Sequence, residues 1–261
     1  LPILVPTREL AVQVHESVTR YAKGTDLTST QVYGGVSIAA QVAALRAEPE
    51  ADVCYGKTRF RHADGRLAEG AWKGSGVART AMFPSFLTER WWDTPNPLYR
   101  ATICDRVGPW TDLRLEEDWE YDCRVAAVGG RLVWCDAFVC EVRDHVGARL
   151  SRWESTNAST WKARAASHLL VWEHAKRADL PRTAPESVKT FARTLFLLAR
   201  QCGSAGLESE AAELARSAQL AGGGLLRQWD LTTFRVLAAL VGWRLAGRFG
   251  AWFDAGRRRR L

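Results

Sequence analysis

The stretch EEDWEYDCRVAAVGG, Glu116 to Gly130, has the clearest structural signal in the middle of the chain. It predicts a helix over residues 116–128 that ends at the pair Gly129-Gly130. The sequence that follows, RLVWCDAFVCEVR, predicts one or two strands because it is rich in strand-forming residues. Upstream, ADVCYGKTRF at residues 51–60 has the same character, and Asp64-Gly65 offers a turn behind it.

The C-terminal part is predicted to be helical from about residue 156. Thr183-Ala-Pro-Glu186 matches a capping box with proline near the first turn. An apolar stripe follows it, formed by Val188, Phe191, Leu195 and Leu198. Gly203 ends that helix, and a second helix over 207–220 completes a predicted helical hairpin.

Residues 1–47 are predicted to alternate strand, helix, strand, helix, which is typical of a parallel α/β sheet. Ile3–Val5 and TSTQVYGG are the two strand candidates. The first helix, over 9–22, has an apolar stripe of Leu10, Val14, Val18 and Tyr21. Ser37 is placed to cap the second helix.

The chain of 261 residues carries a formal net charge of +7. The charge is unevenly placed: +1 over residues 1–47, −3 over 48–155 and +9 over 156–261. A basic excess favours an acidic partner, which can be nucleic acid, a membrane surface or a phosphorylated ligand. The six cysteines form no Cys-x-x-Cys pair, so we predict free, buried thiols in a reducing cytosol.

Three separated blocks resemble, in order, the C-terminal half of bacterial family 2 glycosyltransferases. They are PEADVCYGKTRFRHADGR, PNPLYRATICDRVGPWTDLRLEEDWEYDCRVAAVGGRL and CEVRDHVGARLSR. The resemblance implies an α/β fold of the GT-A type, partial here, followed by a helical region. It also implies sugar transfer from a nucleotide-sugar donor to a glycan or lipid-linked acceptor, with a divalent metal (Mn or Mg) as cofactor.

By this resemblance Asp118 is the general base that deprotonates the acceptor hydroxyl, with Glu117 beside it. We expect neighbouring carboxylates to raise one another's pKa. The alternative is that these acids only stabilise a helix N-terminus. No Asp-x-Asp motif for the donor diphosphate occurs in the chain, so we expect the enzyme to be incomplete, without its donor-binding half.

Trp119, Trp110 and the pair Trp91-Trp92 are candidates for stacking on sugar faces, although core packing is the commoner fate of tryptophan. The resemblance also places Arg143 against phosphate oxygens and His145 at a metal or diphosphate site. A purely structural role is the alternative for His145.

A different resemblance covers the first 46 residues. VPTRELAVQV and VYGGVSIAAQVAALR resemble the segment of DEAD-box RNA helicases that follows the phosphate loop in the first RecA-like domain. It implies that Pro6, Thr7, Arg8, Gly34 and Gly35 contact an RNA backbone. The chain has neither a G-x-x-x-x-G-K-[ST] loop nor an Asp-Glu-Ala-Asp motif, so ATP enters only if the helicase interpretation holds.

The sequence therefore predicts a chimera of three segments. A helicase-like fragment (1–47) precedes a glycosyltransferase-like acceptor half (48–155) and a helical region with a basic amphipathic tail (156–261). The tail, FRVLAALVGWRLAGRFGAWFDAGRRRRL, is suited either to an anionic membrane surface or to packing with a solvated basic end. The expected location is cytoplasmic, peripheral at the inner face of the membrane. The alternative function is RNA binding by a helicase fragment, and a third is a product with neither activity.

Overall fold

The computed structural model describes residues 8–23, 38–144, 157–223 and 229–258. The chain divides into two compact units, Leu1–Ser37 and Ile38–Leu261. In the first unit, helix α1 spans Arg8–Tyr21, which confirms the helix predicted over 9–22. The two strands predicted around it lie outside the described residues, so the RecA-like arrangement of this segment stays a prediction.

The second unit is built on a three-stranded sheet in the order β2-β1-β3. Its strands are β1 (Val53–Arg61), β2 (Leu98–Tyr99) and β3 (Leu132–Arg143). β2 runs antiparallel to β1, whereas β3 runs parallel to it. The parallel pair requires a crossover, which contains helices α3 (Ala101–Val107) and α4 (Glu117–Ala127). The predicted helix over 116–128 is thus confirmed, and the strand-forming segment after it forms one long strand, β3.

The contact between β1 and β3 depends on Gly56. The ladder shifts register between Gly56 and Thr58. A Cβ atom at Gly56 would lie 2.7 Å from Val139 Cγ1 and 2.8 Å from the Ala137 carbonyl oxygen. Only glycine allows β3 to approach this closely where the ladder is irregular.

Helix α2 (Ala39–Ala47) packs against β1 and β3 within the second unit. The buried amide of Gln41 donates to the carbonyl oxygens of Cys54 (3.2 Å) and Asn96 (2.7 Å). Arg100 Nε donates to the Ala51 carbonyl oxygen at 2.6 Å. The compact unit therefore begins before α2, whereas the segment boundary predicted from the sequence lies after it.

Helices follow the sheet. They are α5 (Ala158–Arg177), α6 (Leu180–Thr183), α7 (Pro185–Ser204), α8 (Glu208–Ala221), α9 (Trp229–Val241) and α10 (Trp243–Arg258). The predicted hairpin is confirmed as α7 and α8, and its apolar stripe from Val188 to Leu198 is buried. The predicted capping box is wrong, because Thr183 Oγ1 donates to the Asp179 carbonyl oxygen and no side chain caps α7.

The larger of two hydrophobic clusters among the described residues runs from the sheet through the helices of this unit, and the smaller one lies where α2 meets β1 and β3. Trp91 and Trp92 are fully buried in the larger cluster, in edge contact with Phe86 at ring-centroid distances of 4.3 and 4.7 Å. All six cysteines are free thiols, and five of them are buried, as predicted. The fold is a mixed α/β arrangement with a small sheet and many helices. Nowhere in the described ranges is there a helix with the length and apolar character to cross a membrane.

Candidate active site

The candidate site is the start of α4, where the predicted base Asp118 lies. Glu116 precedes the helix with a left-handed backbone (φ 62°), and acidic residues fill the first turn. Negative charge at this end is favourable because the free N–H groups of the first turn carry partial positive charge. Sequence reasoning left two roles open for these acids, catalysis and helix stabilisation, and their contacts bear on that choice.

Asp118 and Asp122 share one face of α4 and hold one arginine between them. Arg90 donates from Nη1 to Asp118 Oδ2 at 2.5 Å and from Nε to Asp122 Oδ2 at 2.9 Å. Asp118 Oδ2 also accepts from the Thr94 hydroxyl, and its Oδ1 accepts from the Trp119 amide at 2.8 Å. The Asp118 side chain keeps 18% exposure, whereas that of Asp122 is fully buried. Of these two carboxylates, Asp118 is therefore the one that a ligand can reach.

Asp122 is an internal acceptor. Besides Arg90 it accepts from Trp92 Nε1 at 2.9 Å and from the Tyr99 hydroxyl. These donors offset part of the cost of burying a carboxylate. The Asp122 side chain thus links α4 to β2 and to the loop that carries Arg90 and Trp92.

A second face of α4 is bound to α5. Glu116 accepts from Arg164 Nη1 at 3.0 Å and from the Ser167 hydroxyl at 2.5 Å. One turn later, Glu120 Oε1 lies 2.7 Å from His174 Nε2, and Glu120 Oε2 accepts from Thr111 and Arg124. These carboxylates anchor the helix and so fix the position of Asp118.

The pKa of Asp118 is lowered, so the expected rise is wrong. Burial by itself raises this pKa, but the charge of Arg90 and the hydrogen bonds from Thr94, Arg90 and the Trp119 amide outweigh burial. The pKa of Glu116 is lowered in the same way, because the partners on α5 outweigh burial. Asp118 is therefore ionised at neutral pH and able to accept a proton.

The predicted aromatic contacts divide into three cases. Trp119 is half-buried, its Nε1 donates to the Phe86 carbonyl oxygen at 2.7 Å, and its ring meets His168 edge-on at 4.9 Å. Trp91 and Trp92 are buried in the core, so their expected stacking on sugar is wrong. Trp110 is 45% exposed and stacks on Tyr121 at 5.3 Å, so its outer face remains available.

Of the residues predicted to contact phosphate, metal or RNA, Arg143 and the backbone of Arg8 are described, and the others lie outside the described residues. Arg143 ends β3, is 74% exposed, and donates from Nε to Glu141 Oε1 at 2.7 Å. His145 is outside the described residues, as are Pro6, Thr7, Gly34 and Gly35. Arg8 begins α1, and its side chain is also outside them. The described ranges contain no group of three His, Cys, Asp or Glu side chains arranged to hold a metal ion.

Sequence reasoning missed Arg90, Thr94 and Asp122. The four-residue spacing of Asp118 and Asp122 on a predicted helix could have indicated a shared partner. Nothing local identifies Arg90 as that partner, because it lies 28 residues before Asp118.

Comparison with known proteins gives partial matches. No protein-family model matches the chain. The curated relatives include a rice DEAD-box ATP-dependent RNA helicase 45 (38% identical over 52 residues), Bacillus cereus helicase CshC (40% over 47) and the human probable ATP-dependent RNA helicase DDX27 (44% over 48). These matches cover 18–20% of this chain and 6–12% of those proteins. The chain therefore spans a small part of the relatives it matches.

Among solved structures, S. aureus TarS (residues 1–349), crystallised in complex with UDP-GlcNAc, matches with a TM-score of 0.39 and 12% sequence identity. The match covers 80% of this chain and 76% of that one. A likeness at this TM-score carries no argument about this chain.

Proposed function

We propose that residues 48–155 form the acceptor side of a glycosyltransferase-like enzyme in which Asp118 is the general base. The observation that carries the proposal is the geometry of this carboxylate: it is oriented by three donors and partly exposed at a helix start. The order of the three sequence blocks gives independent support.

The proposed reaction needs one proton acceptor. The acceptor hydroxyl attacks the anomeric carbon of the donor, the bond from that carbon to the diphosphate breaks, and the nucleoside diphosphate leaves with the electron pair. Asp118 takes the hydroxyl proton. Arg90 lowers the basicity of Asp118 but holds it in one orientation, and orientation is a large part of such a catalyst's effect. Trp110 is the exposed aromatic candidate for the sugar face.

The metal is left out of this mechanism. The described residues contain no group of three His, Cys, Asp or Glu side chains that would hold a divalent cation beside Asp118. The Mn or Mg cofactor stays a prediction, and the assay below tests it directly.

The test is release of nucleoside diphosphate from a panel of UDP-, GDP- and dTDP-sugars, with and without MnCl2. The critical variant is Asp118→Asn, which keeps the shape of the side chain and removes the base. Asp105→Asn on the exposed side of α3 is the matched control. We expect turnover to fall at least about a hundredfold in Asp118→Asn and to stay unchanged in the control. Equal turnover in both variants would refute the role of Asp118.

We propose a second function, RNA contact, for residues 1–47, because the helicases match this chain at 38–44% identity over 47–52 residues. Arg8 is the residue to test. Arg8→Ala is expected to weaken binding of single-stranded RNA. It should also reduce the slope of log K against log salt concentration by the contribution of about one phosphate contact. Arg20→Ala, in the last turn of α1, is the control. Equal losses in both variants would count against a specific contact at Arg8.

A further inference from the structure

Helix α10 meets α7 through its smallest residues. A Cβ atom at Gly247 would lie 2.2 Å from the Ser204 amide nitrogen, and one at Gly250 would lie 2.3 Å from Arg200 Nε. A Cβ atom at Gly203 on α7 would lie 2.7 Å from the Trp243 carbonyl oxygen. The backbones of the two helices are therefore in direct contact, and this side of α10 has no room for a large side chain.

Two large apolar residues of α10, Leu245 and Phe249, are on its other side, whereas Trp243 at its start packs against the core. Leu245 is 49% exposed and Phe249 is 56% exposed, one turn apart. With a rotation of about 100° per residue, they lie opposite Gly247 and Gly250. Arg244 and Arg248 are exposed beside them. We call Arg244, Leu245, Arg248 and Phe249 the outer face of α10.

At Leu245 and Phe249 helix α10 therefore departs from an ordinary packing helix, which turns its large apolar side chains inward. The preceding helix also exposes two large apolar side chains. Val236 and Leu240 of α9, one turn apart, are 56% and 77% exposed. Large apolar side chains that are exposed in pairs one turn apart on two successive helices favour an interaction surface.

We propose that the outer face of α10 docks the protein onto an anionic membrane surface. Leu245 and Phe249 enter the boundary between headgroups and acyl chains, while Arg244 and Arg248 reach the lipid phosphates along their flexible stems. Two features of the sequence favour anionic lipid as the partner of this face. The segment that carries this face, residues 156–261, has a net charge of +9, and four of its arginines, Arg257 to Arg260, follow the outer face in the sequence.

A second copy of the chain is disfavoured as the occupant. A two-fold contact through this face would bring each arginine pair against its own copy, and like charges at close range repel. A membrane that contains anionic lipids supplies the opposite charge over a broad area. The docking does not depend on Asp118 or on the proposed transfer reaction.

The experiment is sedimentation of the full chain with vesicles of phosphatidylcholine alone and of phosphatidylcholine mixed with phosphatidylglycerol, at low and high salt. We expect binding to the mixed vesicles only, weakened by salt because screening acts on the arginines. Arg244→Gln with Arg248→Gln should weaken it about thirtyfold at low salt, about fivefold for each charge. Leu245→Ser with Phe249→Ser should weaken it at least about tenfold at either salt concentration.

Matched controls are Leu220→Ser on α8, 66% exposed, and Arg182→Gln, whose side chain is 78% exposed. Both are expected to bind like the wild type. Equal binding to neutral vesicles, or no loss in the two double variants, would overturn the proposal. Light scattering that shows a dimer, made monomeric by Leu245→Ser with Phe249→Ser while vesicle binding is unchanged, would assign the face to a second copy instead.

Discussion

Replacing Arg90 with methionine tests the carboxylate cluster on α4. The change keeps most of the side-chain volume and removes the charge shared by Asp118 and Asp122. The Arg90 side chain is 19% exposed and that of Asp122 is fully buried, so the variant leaves a buried carboxylate without its cation. Removing one partner of a buried ion pair costs about 3–5 kcal/mol. Asp118 adds little to this cost because water can reach it.

The assay is urea unfolding followed by tryptophan fluorescence, since all 12 tryptophans lie in the second unit. The matched control is Arg66→Met, which breaks an exposed pair with Asp64 whose N–O distance is 2.6 Å. An exposed pair of this kind contributes about 0–1 kcal/mol. We therefore expect a large loss of stability at Arg90 and almost none at Arg66. A loss below about 1 kcal/mol for Arg90→Met would refute the account of this cluster.

Four further substitutions are expected to change stability in the same assay. Glu116→Gln should cost about 1–3 kcal/mol at neutral pH. Because the folded-state pKa of Glu116 is lowered, its contribution is present above about pH 4 and lost as the pH falls, so the variant should converge on the wild type in acid. Gly247→Ala should cost about 1–3 kcal/mol, because its Cβ atom meets backbone on α7. Trp91→Ala should cost about 3–5 kcal/mol, whereas Trp110→Ala, 45% exposed, should cost about 1 kcal/mol. Equal losses at both tryptophans, a neutral Gly247→Ala or a pH-independent Glu116→Gln would each contradict the packing described.

Elements with a clear local signal could be predicted from the sequence. Helix α4 begins one residue after the predicted start and ends one residue before the predicted end. The α7–α8 hairpin follows from its apolar stripe and glycine stop. In both cases the hydrophobic period and the terminal residues act within one helix, so no distant contact was needed.

Contacts across long sequence distances could not be predicted. The loop around Trp91 and Trp92 has no period, so its sequence could not show that both rings enter the core rather than face a sugar. The capping pattern at Thr183 was overridden because the preceding short helix α6 already uses that hydroxyl. The lowered pKa of Asp118 depends on Arg90 and Thr94, both distant in sequence, and these outweigh the effect expected from the adjacent Glu117.

The central claim is that Asp118 is the proton acceptor of a sugar-transfer site, and its most direct test separates chemistry from stability. Turnover of the best nucleotide sugar in the panel would be measured on Asp118→Asn and on Arg90→Lys, which keeps the positive charge beside the carboxylate. The account predicts that Asp118→Asn is folded and at least about a hundredfold slower. Arg90→Lys should retain most of its turnover. A folded Asp118→Asn variant with wild-type turnover would contradict the claim.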